Sequence, residues 1–163
     1  MTRPCFLTPQ GWEQLRAEHQ ERWERRRETV TALAAAAAEG DRSENAEYIY
    51  RKKELREIDR RLRYLGRILN EAKVVDALPA DCSRVRFGAW VSLHNAAGEQ
   101  RQIRIVGAYE ARPEQGEISL DAPLAKLLLG RAVDDSIVWQ RGDSPAEEWE
   151  ITEIRYAPPQ GSA

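Results

Sequence analysis

Gly40-Asp41-Arg42-Ser43-Glu44-Asn45-Ala46-Glu47-Tyr48 stands between two long helical patterns, and its reading decides the fold. The alanine-rich run Ala32 to Ala38 leads into it with strong helix propensity. Gly40 then has no Cβ to clash in the left-handed backbone that commonly closes a helix. A second helix is expected to start at once and to continue to about Ala72. Asp41, Glu44 and Glu47 are spaced by three, which predicts a shared face once that helix begins. Asp-x-x-Glu also fits a capping box, in which Asp41 accepts from the Glu44 amide and Glu44 reaches back. Ser43 is an equal candidate for the cap.

Outward from this turn, both flanks show helical periodicity. Thr8-Pro9 opens the first helix, threonine as cap and proline where no amide is needed. Trp12, Leu15, His19, Arg22 or Trp23, Arg26, Val30, Leu33 and Ala37 alternate three and four apart, a coiled-coil stripe interrupted by His19 and Arg26. Trp12 and Trp23 read as packing anchors, and Arg25-Arg26-Arg27 as a solvated face. Leu55, Ile58, Leu62, Leu65, Leu69 and Ala72 give the second helix an unbroken seam. Two such stripes joined by a few residues must pair antiparallel. Helices of about 30 residues make a rod roughly 45 Å long, with the alanines keeping its tip thin.

Val74 to Cys82 breaks the heptad and reads as a linker, after which the period becomes strand-like. Strands are predicted at Val85-Phe87, Ala89-Leu93, Gln102-Val106, Glu117-Leu120, Ser136-Gln140 and Glu148-Tyr156, with a hairpin turn at Asn95-Ala96-Ala97-Gly98. Asp121-Ala122-Pro123 opens a short helix that Gly130 ends. The fold class is therefore α+β: a helical hairpin over 1–78 with its acidic tip at 40–48, then an antiparallel sheet with one helix over 79–163.

Composition narrows the function classes. Of 163 residues 32% are charged, and no apolar run approaches the ~20 residues of a membrane span. The N-terminus lacks a signal pattern, which predicts a cytoplasmic protein without a membrane partner. Cys5 and Cys82 have no metal-type spacing and read as reduced. Residues 1–78 hold 16 Lys/Arg against 14 Asp/Glu, whereas the rest holds 9 against 13. The basic excess gathers at Arg51, Lys52, Lys53, Arg56, Arg60, Arg61 and Arg63, next to the acidic tip. A hairpin that satisfies its own seam is expected to be monomeric.

The string GDRSENAEY at a hairpin tip, followed by RKKELREIDRRLRYLGRIL, resembles the bacterial GreA/GreB family of transcript-cleavage factors. The basic second segment is closer to the GreB side of that family. The resemblance runs from LTPQGWEQL at Leu7 to IRY at Tyr156. It implies an FKBP-like C-terminal domain that docks on the rim of the RNA polymerase secondary channel, and a coiled coil that enters the channel. There the factor would stimulate hydrolysis at the 3′ end of nascent RNA in backtracked, arrested complexes. It would act without being an enzyme itself and without a stably bound cofactor of its own. Carried over by position, Asp41 helps ligate a second Mg²⁺ shared with the polymerase, and Glu44 orients or deprotonates the attacking water. Ser43 and Asn45 shape the tip. Arg51, Lys52, Lys53 and Arg56 contact the extruded RNA. Asp121 and Pro123 match a polymerase-docking segment.

Two departures from the family pattern stand out. No proline occurs near Arg25-Arg27, and Val133-Asp134-Asp135 stands where relatives usually place glycine before the aspartate, which is expected to change a turn. Two other functions compete. A channel-binding regulator without cleavage activity would share the architecture, but the intact Asp41 and Glu44 argue against it. A stand-alone prolyl isomerase would need an aromatic pocket that the sequence does not show.

Overall fold

The computed structural model describes residues 4–40 and 44–157. The chain divides into two compact units: one from Trp12 to Ala72, the other joining the residues before Trp12 to those after Ala72.

The first unit consists of most of α1 (Pro9–Ala38) and α2 (Ala46–Glu71). α1 opens as its sequence dictates. Thr8 Oγ1 accepts from the Gly11 amide at 3.0 Å, and Pro9 takes the first helical position. Within the unit α2 buries Ile58, Leu62, Leu65 and Ile68, while α1 buries Leu15, Thr29 and Ala36. This corrects the expected seam by one residue at two places. Thr29 is fully buried where Val30 was expected, and Val30 is 40% exposed. Threonine tolerates the seam because its Oγ1 donates to the Arg25 carbonyl at 3.0 Å. On α2, Ile68 is buried and Leu69 only partly so.

Trp23 is not the packing anchor that was expected. It is 43% exposed, with His19 edge-on at 6.4 Å and the Arg26 guanidinium 5.6 Å from its ring. Between the apolar ends the hairpin is held by ion pairs across the helices. Arg61 donates twice to Glu18, at 2.8 and 3.0 Å, Arg26 donates to Asp59 at 2.7 Å, and Arg25 to Glu54 at 2.8 Å.

In the second unit five strands form a sheet in the order β5-β4-β3-β7-β6: β3 (Trp90–Asn95), β4 (Gln100–Val106), β5 (Glu117–Ser119), β6 (Ser136–Trp139) and β7 (Glu147–Arg155). β3 alternates between half-buried Trp90, Ser92 and His94 and buried Val91, Leu93 and Asn95, the signature of a sheet covered on one face. The buried face packs on Leu124, Ala125 and Leu128 of α3 (Pro123–Leu128), with Trp149 at the centre of the core. A bulge between Ser92 and Leu93 shifts the β3–β7 register.

The sheet is mixed, where an antiparallel one was expected: β5 pairs parallel with β4 over three residues. Val85-Phe87 is no strand, with only an isolated bridge from Arg84 to Ala132 nearby. An unexpected two-stranded parallel ladder joins β1 (Phe6–Leu7) to β2 (Lys73–Val74). Gly107 belongs to that region, because a Cβ there would lie 1.9 Å from the Phe6 carbonyl oxygen.

Candidate functional site

The tip is built by the two helix ends. α1 stops at Ala38, and Gly40 turns the chain at φ +132°, a conformation that side chains disfavour. α2 does not start at once after it. Asn45 is its N-cap: Oδ1 accepts from the Tyr48 amide at 3.1 Å, and the helix runs from Ala46. The same side chain donates through Nδ2 to the Ala36 carbonyl at 2.8 Å. One asparagine thus satisfies an otherwise unpaired donor of α2 and adds a donor to a terminal carbonyl of α1.

The capping-box reading of Asp41 and Glu44 is therefore corrected. Glu44 precedes the cap, so it occupies no position inside the helix and cannot share a helical face with Glu47. Asp41 and Ser43 lie outside the described residues. Glu44 is exposed, with no hydrogen bond or ion pair among the described residues. Glu47 sits in the first turn of α2 and accepts from Arg51 at 2.8 Å.

Next to the tip the basic segment splits into two kinds of cation. Arg51 is engaged with Glu47 and with Glu54 at 3.0 Å, and these hydrogen bonds, Glu47 first, push its already high pKa further up. Lys52, Lys53 and Arg56 are exposed, and Lys52 stands 5.8 Å from the Tyr48 ring. Further along, the Arg61 hydrogen bonds to Glu18 hold that carboxyl below its usual range against partial burial, with help from Arg22. Among the described residues no cluster of three metal-ligating side chains occurs.

In the sheet unit Asp121 and Pro123 are both exposed at the start of α3, with Leu127 one turn on at 36% exposure. Asp121 does not cap the helix; the N-cap position is Ala122, which has no polar side chain. Asp134 adopts φ +73°, the backbone that a glycine would have supplied. The turn survives the departure: Asp134 N donates to Ile151 O at 2.8 Å, Ile151 N to Asp135 O at 2.9 Å, and Ala132 N to the Asp135 carboxylate at 2.8 Å. A hollow of about 710 Å³ lies on the open sheet face among Ser92, His94, Gln100, Gln102 and Thr152. Its lining is polar, unlike the aromatic pocket a prolyl isomerase would use.

Sequence reasoning named Asn45 as tip-shaping but did not identify it as the cap or foresee its bond to Ala36. The signal was there, since Asn45 sits three residues before the Tyr48 amide it caps. The exposure of Ile49 and Tyr50 was not foreseen either, as both look like ordinary helix residues.

Residues 5–74 match the family model described as "Transcription elongation factor, N-terminal", and residues 80–156 match "Transcription elongation factor, GreA/GreB, C-term". The chain is 50% identical over 156 residues to the transcription elongation factor GreB of Pseudomonas aeruginosa, covering 94% of this chain and 91% of that one. It is 47% identical over 159 residues to the Yersinia pestis protein of the same name, covering 97% and 92%. The Xanthomonas axonopodis counterpart is 56% identical over 133 residues, covering 80% and 79%. A solved structure of the transcription factor Gfh1 aligns over 94% of this chain and 99% of that one, at 25% identity and a TM-score of 0.46. That structural similarity is too low to add weight to the sequence matches.

Proposed function

The chain belongs to the GreA/GreB family of transcription elongation factors, and from that premise we propose that it rescues arrested transcription by promoting cleavage of backtracked RNA. In this reading the helical hairpin enters the secondary channel of a bacterial RNA polymerase, and the sheet domain docks on the rim through the surface of Asp121 and Pro123. The protein is not an enzyme alone; it lends side chains to the polymerase. Its domains are the hairpin over 12–72, in place of the expected 1–78, and a docking domain formed by the segments on either side of it.

The observation that carries the reading is the Asn45 cap. By closing α2 itself, Asn45 leaves Glu44 outside the helix, exposed and uncommitted. A carboxylate consumed by a capping box would have been poorly free to act on a substrate; this one is free. Glu44 accepts a hydrogen bond from the attacking water and takes its proton as the water oxygen bonds to phosphorus and the P–O3′ bond breaks. The O3′ leaving oxygen takes a proton from solvent, so the retained RNA ends in a 3′ hydroxyl, and the released fragment carries the 5′ phosphate. Asp41 supplies hard oxygen donors to a Mg²⁺ shared with the polymerase. That ion, when bound, polarises the phosphoryl oxygen and lowers the pKa of coordinated water. Two carboxylates fit a shared ion and not a resident one. Lys52, Lys53 and Arg56 offer exposed charge to the extruded RNA, whereas Arg51 contributes mainly by ordering the first turns of α2 through Glu47 and Glu54.

The test is a backtracked elongation complex with end-labelled RNA and Mg²⁺, to which wild type, Asp41→Ala or Glu44→Gln is added. Wild type should accelerate cleavage, and each variant should lose most of that acceleration while still competing with wild type for the polymerase. If wild type binds without promoting cleavage, the chain is a channel-binding regulator and the catalytic reading fails.

A further inference from the structure

On α2 the positions opposite the buried Ile58, Leu62, Leu65 and Ile68 are occupied by Lys53, Arg56, Arg60, Arg63 and Arg67, all exposed. They recur every three or four residues, so neighbouring charges stand about 5–6 Å apart along the helix axis. Among the described residues Arg56, Arg60 and Arg63 take part in no ion pair, in contrast to Arg51 and Arg61, which point their charge into intramolecular bridges. A row of unneutralised cations at this pitch can meet the successive phosphates of an extended strand.

The end of the row nearest the tip is different in kind. Ile49 and Tyr50 are 54% and 58% exposed. Ile49 projects away from the buried face of α2 and Tyr50 from its flank, and both remain more than half exposed. The Arg51 guanidinium stands 5.5 Å from the Tyr50 ring, and Lys53 lies one turn further on, so the ring is flanked by cations. An exposed aromatic ring at the head of a cationic row is the combination with which proteins hold single-stranded nucleic acid, bases stacking on rings while the charges follow the backbone.

We infer that Tyr50 is a stacking platform for one base of single-stranded RNA whose phosphates run along Lys53, Arg56, Arg60 and Arg63. This rests on the functional reading above, which supplies such a strand as the extruded 3′ segment, and it adds a contact to the base itself. Stacking is indifferent to base identity, so the site grips any extruded sequence.

The experiment uses the full-length protein and elongation complexes of a bacterial RNA polymerase backtracked by several nucleotides. The extruded RNA is either normal or carries an abasic ribose at each position in turn. With normal RNA and subsaturating factor, Tyr50→Ala should slow cleavage about tenfold, near the low end of what one stacked base supplies. Tyr50→Phe should cleave like wild type, because the ring and not the hydroxyl makes the contact. At one abasic position the difference between wild type and Tyr50→Ala should vanish, since the wild type has already lost its stacking partner. Circular dichroism should show native helicity for both variants, as expected for an exposed side chain.

The inference is overturned if Tyr50→Ala matches wild type on normal RNA. It is equally overturned if the variant slows every abasic RNA by the same factor, which would place the ring against the polymerase, or if Tyr50→Phe fails like alanine. Wild type that does not stimulate cleavage at all would instead sink the functional reading, and the RNA site with it.

Discussion

Asn45 ties the two helices of the hairpin together at their ends, its Nδ2 donating to the Ala36 carbonyl at 2.8 Å while its Oδ1 receives the Tyr48 amide at 3.1 Å. The first bond closes the turn and the second starts the helix. A single side chain therefore joins the end of α1 to the start of α2.

Asn45→Ala should lower the stability of the protein by about 1–2 kcal/mol, through the lost cap together with a lost interhelical bond. Asn45→Asp retains a good cap but cannot donate to Ala36, so it should recover only part of that loss. Urea unfolding followed by far-ultraviolet circular dichroism measures both. If Asp is as stable as Asn, the bond to Ala36 contributes nothing. In cleavage assays Asn45→Ala should also lower activity without removing either acidic residue, because the loop is no longer anchored.

Across the middle of the hairpin, Glu18 accepts both Arg61 hydrogen bonds, and these depress its carboxyl pKa. A depressed folded-state value stabilises the fold above the unfolded pKa of about 4.5 and ceases to do so as pH falls through the lower folded value. Both side chains keep 29–39% of their exposure, so solvent screens the pair. A double-mutant cycle of Glu18→Gln and Arg61→Met should give a coupling of about 0.5–1 kcal/mol at pH 7 and low salt. The coupling should shrink at 1 M salt and disappear as pH falls through the lowered pKa of Glu18. A coupling that is constant with pH would show that packing, and not charge, joins these residues.

Glu110 should show the opposite slope. It is 8% exposed and accepts from the Thr8 amide with both oxygens, at 2.9 and 3.2 Å. Burial raises its pKa, with the Thr8 hydrogen bonds and the nearby Arg104 charge opposing. The folded state therefore holds the proton more tightly than the unfolded one, so ionisation costs stability as pH rises from about 4.5 through the raised value. Glu110→Gln abolishes that cost and keeps one acceptor for Thr8. Its stability relative to wild type should improve steadily from pH 4 to pH 7 in urea titrations. A flat difference, or one that worsens with pH, would mean that the Thr8 bonds outweigh burial. Any residue larger than glycine at position 11 would test the same packing sterically, because a Cβ there would lie 2.1 Å from the Glu110 carboxylate.

How much of this could be read from the sequence depended on how local each signal was. α1, α2 and α3 announced themselves through caps, prolines, glycines and a 3.6-residue period, all readable within a few residues. Thr29 and Trp23 misled because hydropathy cannot see that a threonine hydroxyl can be satisfied by its own helix, or that an indole is left on the surface beside Arg26. The pairings of β1 with β2 and of β5 with β4 are parallel and join distant segments, and no local pattern encodes a partner that far along the chain. At the tip, Asp-x-x-Glu offered a capping box starting at Asp41, with Ser43 as the other candidate, whereas the cap is Asn45, four residues after Asp41. Aspartate, serine and asparagine all cap well, so propensity could not single out Asn45; the bond from the Tyr48 amide does.

Asp134 shows how a departure from a family pattern can leave the turn intact. At φ +73° it holds a conformation open to glycine, tolerated by aspartate and disfavoured for most other residues. The turn it serves is fixed by bonds to both sides: Asp134 N reaches Ile151 O and Asp135 O receives Ile151 N, so neighbouring β7 enforces the backbone. Asp134→Gly removes the strain, partly offset by the greater conformational entropy of the unfolded chain, and should stabilise the protein by about 0.5 kcal/mol, while Asp134→Val should destabilise it by about 1–2 kcal/mol. Thermal unfolding of the three proteins provides the ranking. If valine is tolerated as well as glycine, the residue escapes the left-handed region in solution, and the bonds to Ile151 do not hold this turn. If the order is glycine, aspartate, valine, the turn is held by β7, and aspartate here is a substitution the fold can carry without altering the surface that follows α3.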